Sequence, residues 1–153
     1  MKIIAASFAI LIALVCFSPQ AAYWWGLSNL DSKPVASEKR ITPEQELEIW
    51  QKEFGVGTPR VEPVTPYRYL FYIYCNVDLG LRTQECESRY PGLRVSSFAV
   101  KYQVADGLRG KRNISWQVTW MAYTIWATRN WDIHQILATY HEKFRPLSEL
   151  KRG

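Results

Sequence analysis

The chain has 153 residues, a formal net charge of +5, a sequence pI near 9.2 and an aromatic content of 14%. This length suits one domain of ordinary size with an N-terminal segment, and it excludes two independent hydrophobic cores. The positive charge suits anionic lipid or acidic polymers. The basic residues are scattered without a nucleic-acid-binding motif, so the pattern excludes nucleic acid as a partner.

The N-terminus is apolar from Ile3 to Phe17, and the apolar character resumes before Tyr23-Trp24-Trp25. The first run has the length of a secretory leader, whereas the whole stretch is long enough to span a bilayer. A cleavage signal is poor here because Pro19 and Gln20 stand where small residues are usual. The three rings are typical of an interfacial aromatic belt. We therefore predict an uncleaved transmembrane signal anchor over residues 1–28, with a removed leader as the alternative.

Residues 29–65 are predicted to form a linker that contains one amphipathic helix. The segment Thr42-Pro43-Glu44-Gln45 has the pattern of a capping box, with Thr at the N-cap, Pro at N1 and Gln at N3. The helix should run to about Phe54, because Gly55 to Pro59 then breaks it.

Pro66 to Val77 is rich in aromatic and β-branched residues, so its composition allows a strand or a helix. The family resemblance described below favours the helix. Between Asp78 and Arg94 we expect a loop. Cys75 and Cys86 are the two cysteines outside the N-terminal apolar run. If the domain lies outside the cytoplasm, a disulfide between them would stabilise the fold by about 3 kcal/mol. Two buried thiols are the alternative.

The remainder is predicted to contain three helices. The first covers Ser96 to Leu108, and the second and third divide Asn113 to Phe144 near Arg129-Asn130-Trp131. The second helix is apolar along two stripes and should be largely buried. The third is apolar along one side only and should stop at Arg145-Pro146. The expected N-caps are Asn113 for the second helix and Asn130 or Asp132 for the third.

Three segments in this part of the chain resemble glycosyltransferase family 51, the peptidoglycan polymerase domain of class A penicillin-binding proteins and monofunctional transglycosylases. The family carries G-x-S-T-I-x-x-Q, then R-K-x-x-E, then I-L-x-x-Y-L-N. The corresponding segments are Ser97–Gln103, Trp116–Trp120 and Ile136–Tyr140, in the same order, and the spacing from the second to the third fits without a gap. Four residues match outright: Gln103, Ile136, Leu137 and Tyr140.

This resemblance covers about residues 66–144 and implies a mainly α, lysozyme-like helical domain over residues 66–145, followed by a basic tail at 146–153. It also implies a single-pass protein of the bacterial inner membrane whose C-terminal domain is periplasmic. The partners that the resemblance implies are the membrane and one of three cell-wall components: lipid-linked peptidoglycan precursor, glycan strands or a cell-wall synthase. No cofactor is implied.

The chemical groups of the family are missing from the matching positions. Its polymerases need a Glu as general base and a second Glu, with cations, near the departing pyrophosphate. Here the second Glu falls on Trp120, and the preceding Arg and Lys fall on Trp116 and Gln117. The base motif E-D-x-x-F does not occur near Leu70–Cys75. The resemblance therefore implies a kept scaffold with lost acid–base chemistry.

The remaining candidates each have a plainer interpretation. Asp78, Glu85 and Glu87 could act as acids in a rebuilt catalytic site, but we interpret them as solvated loop carboxylates. Trp116 and Trp120, one turn apart, could stack on a sugar, but Trp at this spacing is more typical of a core. His134 and His141 lack further metal ligands at suitable spacing, so we predict no metal site.

Cationic and polar side chains complete the set of candidates for ligand binding. A basic turn over residues 109–112 could meet pyrophosphate or lipid headgroups, or it could be an ordinary solvated turn. The resemblance adds two candidates, Lys101 and Gln103, from the matched segment Ser97–Gln103. The candidate residues are Lys101, Gln103, Arg109, Lys111 and Arg112.

The sequence thus predicts a membrane-anchored, transglycosylase-like protein that binds rather than polymerises. One alternative is an active, divergent peptidoglycan glycosyltransferase that uses a relocated acid. A second is a small disulfide-bonded envelope interaction or immunity protein.

Overall fold

The computed structural model describes residues 16–53, 55–78, 83–109 and 114–149. Within these ranges every regular element is helical, which confirms a mainly α fold. The helices are α1 (16–28), α2 (Pro43–Lys52), α3 (Pro66–Asp78), α4 (Thr83–Arg89), α5 (Leu93–Gly107), α6 (Ile114–Asn130) and α7 (Ile133–Glu149). Lys111, Arg112, Asn113 and the basic tail from residue 150 lie outside the described residues.

Helix α5 is the centre of the domain, because it packs against both α6 and α7. One core cluster joins α2, α5, α6 and α7, and a second joins α1, α3, α5 and α6. The fully buried members of the first cluster include Trp50, Val100, Val104, Ile136 and Leu137. The second contains Tyr23, Val64, Tyr69, Leu93, Ala122 and Ile125.

Helix α1 packs into the domain over its second half. Tyr23 is buried in the second core cluster, and Gly26 lies so close to α6 that a Cβ there would come within 2.5 Å of the Ala122 Cβ. The interfacial role predicted for Tyr23 is therefore wrong, whereas Trp24 and Trp25 are exposed. The helices that the structure describes include none with both the length and the apolarity needed to cross a bilayer.

Helix α2 begins with the predicted capping box. The Gln45 backbone N–H donates to the Thr42 hydroxyl, and the Thr42 backbone N–H donates to the Gln45 side chain. Ile49 and Trp50 are buried in the first core cluster, so this helix belongs to the domain core and not to a separate linker. It ends at Lys52, slightly earlier than predicted.

Helix α3 and the short helix α4 are joined by a disulfide between Cys75 and Cys86, whose Cα atoms lie 5.9 Å apart. The structure confirms both the predicted pairing and the helical state of residues 66–77. The loop predicted between Asp78 and Arg94 is wrong in part, because α4 occupies Thr83–Arg89. A seven-residue helix with no apolar periodicity gives little signal in the sequence, and here the disulfide holds it in place.

Helix α6 is buried along a broad face and exposed elsewhere. Ala122, Tyr123, Ile125 and Ala127 are buried, as predicted, but Trp116 and Trp120 lie half-buried at the edge of the core. Three threonines share the buried face: Thr119, Thr124 and Thr128. Two of their hydroxyls accept hydrogen bonds from distant parts of the chain: Thr119 from the Asn29 side chain and Thr128 from the Val64 backbone N–H. The Thr124 hydroxyl donates to the Trp120 carbonyl one turn earlier on α6.

Helix α7 begins with a second capping box. Asp132 is the N-cap, since its carboxylate accepts from the Gln135 backbone N–H at 2.8 Å. The predicted stop at Arg145-Pro146 is wrong, because the helix continues to Glu149. A proline removes one backbone donor and can bend a helix without ending it.

Candidate functional site

Two tryptophans and a lysine meet at the edge of the core where α5 packs on α6. The Trp116 and Trp120 ring centroids are 5.0 Å apart, with their planes tilted by 43°. The Trp120 indole N–H donates to the Ser97 carbonyl at 2.7 Å, which fixes the ring orientation. The Lys101 ammonium lies 5.4 Å from the Trp120 centroid, within the range of a cation–π interaction. We call Lys101, Trp116 and Trp120 the tryptophan platform.

The same face of α5 continues as a row of cations and rings. The Arg94 guanidinium lies 5.2 Å from the Phe98 centroid, and Lys101 lies 5.6 Å from the same ring. Phe98 contacts Phe144 of α7 edge-on, at 5.6 Å between centroids. Arg94, Phe98 and Lys101 follow one another at intervals of about one turn on α5, so their side chains share one surface. The platform is therefore the end of a longer aromatic and basic strip.

A shallow groove of about 300 Å³ opens beside the platform between α3 and α6. Trp120 belongs to the tryptophan platform and also lines this groove. The rest of the groove lining is almost entirely apolar. The other lining residues are Tyr69, Ile73, Gln117, Val118 and Met121. A ligand with an apolar chain and a polar, planar-faced head would therefore meet matching surfaces on the two sides of Trp120.

Two buried carboxylates flank Arg94, below the aromatic strip. Glu53, just after α2, accepts from the Arg94 guanidinium at 2.8 Å and from the Tyr140 hydroxyl. Glu87 of α4 accepts from the Tyr72 hydroxyl at 2.8 Å, and the Arg94 backbone N–H also donates to it. Glu87 is only 4% exposed. The network ties α2, α3, α4 and α7 to the first turn of α5.

Burial shifts the pKa values of two members of this network, Glu87 and Tyr72. Desolvation raises the pKa of Glu87 from 4.5 to about 7, although the Tyr72 hydrogen bond and the charge of Arg94 act in the opposite direction. Desolvation, together with the neighbouring Glu87 charge, also raises the pKa of Tyr72. A carboxyl with a pKa near neutrality can exchange protons at physiological pH. Neither Glu53 nor Glu87 lines the groove beside the platform.

The three sequence-predicted acids therefore differ in environment. The interpretation of Glu87 as a solvated loop carboxylate is wrong, because it is buried on α4. Glu85 is more exposed and accepts from Arg89 at 2.6 Å on the same helix. Asp78 is the last residue of α3. Glu53 was missed by the sequence analysis, since its partners lie 41 and 87 residues away along the chain.

The predicted binding residues are only partly brought together. Lys101 joins the tryptophans, but Gln103 is used elsewhere: its side chain accepts from the Val35 backbone N–H and donates to the Val35 carbonyl. Gln103 therefore secures the segment before α2. Arg109 is exposed and pairs with Asp106 at 3.6 Å.

The two histidines lie on α7 away from the platform. His134 is exposed, and its Nδ1 is 2.7 Å from the Glu46 carboxylate, which raises the histidine pKa. His141 is half-buried.

No protein-family model, curated protein or solved structure matches this chain.

Proposed function

We propose that this protein binds lipid-linked peptidoglycan precursor at the outer face of a bacterial inner membrane, as a membrane-anchored relative of the transglycosylases that has lost their polymerase chemistry. In this proposal the apolar N-terminal run that precedes the packed half of α1 provides the anchor, and the helical domain is periplasmic, with a lysozyme-like scaffold. The family resemblance of Ser97–Gln103 and Ile136–Tyr140 supports the scaffold relationship.

One observation carries the proposal: the tryptophan platform and an apolar groove share Trp120. A lipid-linked precursor is an amphiphile with sugars, a pyrophosphate and a polyprenyl chain. Indole faces suit the apolar faces of sugars, an ammonium suits a pyrophosphate oxygen, and the groove suits a hydrocarbon chain. The Cys75–Cys86 disulfide supports a location outside the cytoplasm, where disulfides persist.

A binding function, and not a polymerase, agrees best with the groups around Trp120. Among the described residues, Lys101 is the cation that lies over the Trp120 ring, and the described lining of the groove contains no carboxylate. Glu53 and Glu87 are occupied by Arg94, Tyr72 and Tyr140 in the buried network. Acid–base catalysis needs a group within hydrogen-bonding reach of the reacting oxygen.

A second candidate function is a divergent glycosyltransferase in which Glu87 is the acid. Its burial and its pKa of about 7 favour this residue over Asp78 and Glu85. Glu87→Gln would abolish glycan elongation if this candidate were correct. The same variant would leave precursor affinity unchanged under the binding proposal, because Glu87 is outside the groove.

The test is a titration of the full-length protein in lipid nanodiscs with lipid-linked disaccharide precursor. We expect saturable binding that Trp120→Ala weakens by about tenfold or more, as is typical when a central aromatic anchor is truncated. The matched control is Trp126→Ala, since Trp126 is also half-buried on α6 and lies under Lys33 at 5.8 Å. Equal affinity of wild type and Trp120→Ala, or binding only to a polymerase protein, would contradict the proposal.

A further inference from the structure

Helix α3 carries an exposed apolar stripe along the side that faces away from the domain. Its members recur at i, i+3, i+4, i+7 and i+10, so they form one strip along the helix. They are Tyr67, Leu70, Phe71, Tyr74 and Val77, of which Phe71, Tyr74 and Val77 are 64%, 65% and 78% exposed. We call these five residues the α3 stripe. A contiguous exposed patch of large apolar side chains marks an interaction surface.

The rest of α3 accounts for the internal packing of the helix. Tyr69 and Cys75 are buried, and Tyr72 bonds Glu87, so the opposite side of the helix already serves the core and the disulfide. Arg68 is off the stripe, where it pairs with Glu62 at 3.4 Å and lies over the Tyr90 ring. The stripe itself contains no charged residue.

The stripe begins where the apolar N-terminal sequence joins the domain. The Tyr67 hydroxyl donates to the Cys16 backbone carbonyl at the start of the described part of α1. The residues that precede Cys16 in the sequence are the apolar run from Ile3. Phe17, the next residue of α1, is 69% exposed. The first turn of α3 is therefore held to the start of the described part of α1, and the segment proposed to enter the membrane directly precedes that point in the sequence.

The composition of the stripe matches the interfacial layer of a bilayer. The stripe combines two tyrosines with Leu, Phe and Val. Tyrosine is enriched at the headgroup level because it combines an apolar ring with a hydroxyl. Thirteen residues give a helix about 20 Å long, which is too short to span the hydrocarbon layer. A helix with one exposed apolar face that is too short to span a bilayer contacts it by lying in the plane of the interface.

We infer that the α3 stripe rests on the phospholipid bilayer and so gives the domain a second membrane contact besides its N-terminal anchor. This inference rests on the membrane location in the proposed function but not on the identity of the ligand. Two membrane contacts, one at the start of α1 and one along α3, would fix the orientation of the domain relative to the bilayer. It would hold α3, which contributes Tyr69 and Ile73 to the groove beside Trp120, against the lipid surface.

The test places nitroxide labels on the full-length protein in nanodiscs of phosphatidylethanolamine and phosphatidylglycerol. Cys16→Ser removes the one free described cysteine, and single cysteines then replace Phe71, Tyr74 or Val77 after the native disulfide has been verified by mass. The control is Leu47→Cys, because Leu47 is an exposed apolar residue on α2. All four positions are exposed, so the labels leave the core packing intact.

We expect the three stripe labels to collide preferentially with oxygen, which partitions into lipid, and the Leu47 label to collide preferentially with a water-soluble nickel chelate. Stripe labels that are as accessible to nickel as the Leu47 label would overturn the inference. Labels shielded from both reagents would also overturn it, since protein, either a second copy or the N-terminal run, would then cover the stripe. Precursor titration of the same samples keeps this outcome separate from that of the proposed function.

Discussion

The ammonium of Lys101 lies 5.4 Å from the centroid of the Trp120 ring, whose indole N–H is held by the Ser97 carbonyl. This pair joins a fixed aromatic face to a cation at the edge of an apolar groove. If the ligand carries a pyrophosphate, the lysine contributes charge and the tryptophan contributes contact area. The two contributions are separable by substitution.

Lys101→Met should weaken binding of a pyrophosphate-bearing precursor by about tenfold, the range of one charge-assisted contact. It should leave binding of an uncharged disaccharide unchanged, because the tryptophans remain. Isothermal titration with both ligands makes the comparison. Lys33→Met, which removes the similar cation over Trp126, is the control. An equal loss for both ligands would show that Lys101 acts through the orientation of Trp120.

Glu87 should make the protein less stable as the pH rises from about 4.5 to about 7. Its pKa is raised in the folded state, so the folded chain binds the proton more tightly than the unfolded chain does. The stabilisation is complete below the unfolded pKa and is lost through the folded pKa, an effect of about 1–3 kcal/mol. Denaturant unfolding at pH 4.5 and pH 7.5 measures it.

Glu87→Gln is the matched variant for that measurement, because the amide keeps the size and stays neutral. It should remove this part of the pH dependence. His134 also has a raised pKa and remains in the variant, so a residual slope near its own titration is expected. An unchanged slope between pH 4.5 and 7 would mean that Glu87 is ionised in the folded protein throughout this range.

Gly26→Ala should destabilise the fold by about 1–3 kcal/mol, the usual cost of overpacking. The new Cβ would come within 2.6 Å of the Val118 carbonyl oxygen, and backbone atoms of α6 cannot move aside locally. The control is Gly107→Ala, where the Cβ would meet only the flexible end of the Leu30 side chain. Thermal unfolding of both variants measures the difference. Equal stability would show that α1 is not packed tightly on α6.

Local signals in the sequence were sufficient for much of the fold. The capping box at Thr42 predicted the start of α2, and the apolar side of α7 predicted the burial of Ile136 and Leu137. The cysteine count predicted the Cys75–Cys86 pair. The capping box and the apolar side of α7 depend on residues close together in the chain, so sequence spacing reveals them. The disulfide was predictable because only two cysteines lie outside the N-terminal run.

Long-range polar contacts could not be predicted in this way. Glu53 follows α2 and looks like a solvated residue, but tertiary packing brings it to Arg94 and Tyr140. Gln103 matched a family motif, yet it bonds the backbone of Val35. The half-buried state of Trp116 and Trp120 also depends on which helices cover α6, and helical spacing alone does not specify those neighbours.

Loss of the disulfide should destabilise the domain by about 3 kcal/mol in the chain-entropy model, because the two cysteines close a short loop. The double variant Cys75→Ser with Cys86→Ser should also lose hydrogen-exchange protection in α4, whose seven residues are too few for a stable isolated helix. Cys16→Ser is the control, since Cys16 is exposed and unpaired in a disulfide. Full protection of α4 in the double variant would show that the Glu87 network alone holds it.

The central claim is that the tryptophan platform binds a lipid-linked precursor that the protein does not polymerise. The most direct measurement incubates the full-length protein in nanodiscs with labelled lipid-linked disaccharide and records both bound precursor and glycan chain length. We predict saturable binding that falls about tenfold or more in Trp120→Ala but not in Trp126→Ala, with no product longer than the precursor. Elongated glycan from the wild type, or binding that is indifferent to Trp120, would contradict the claim.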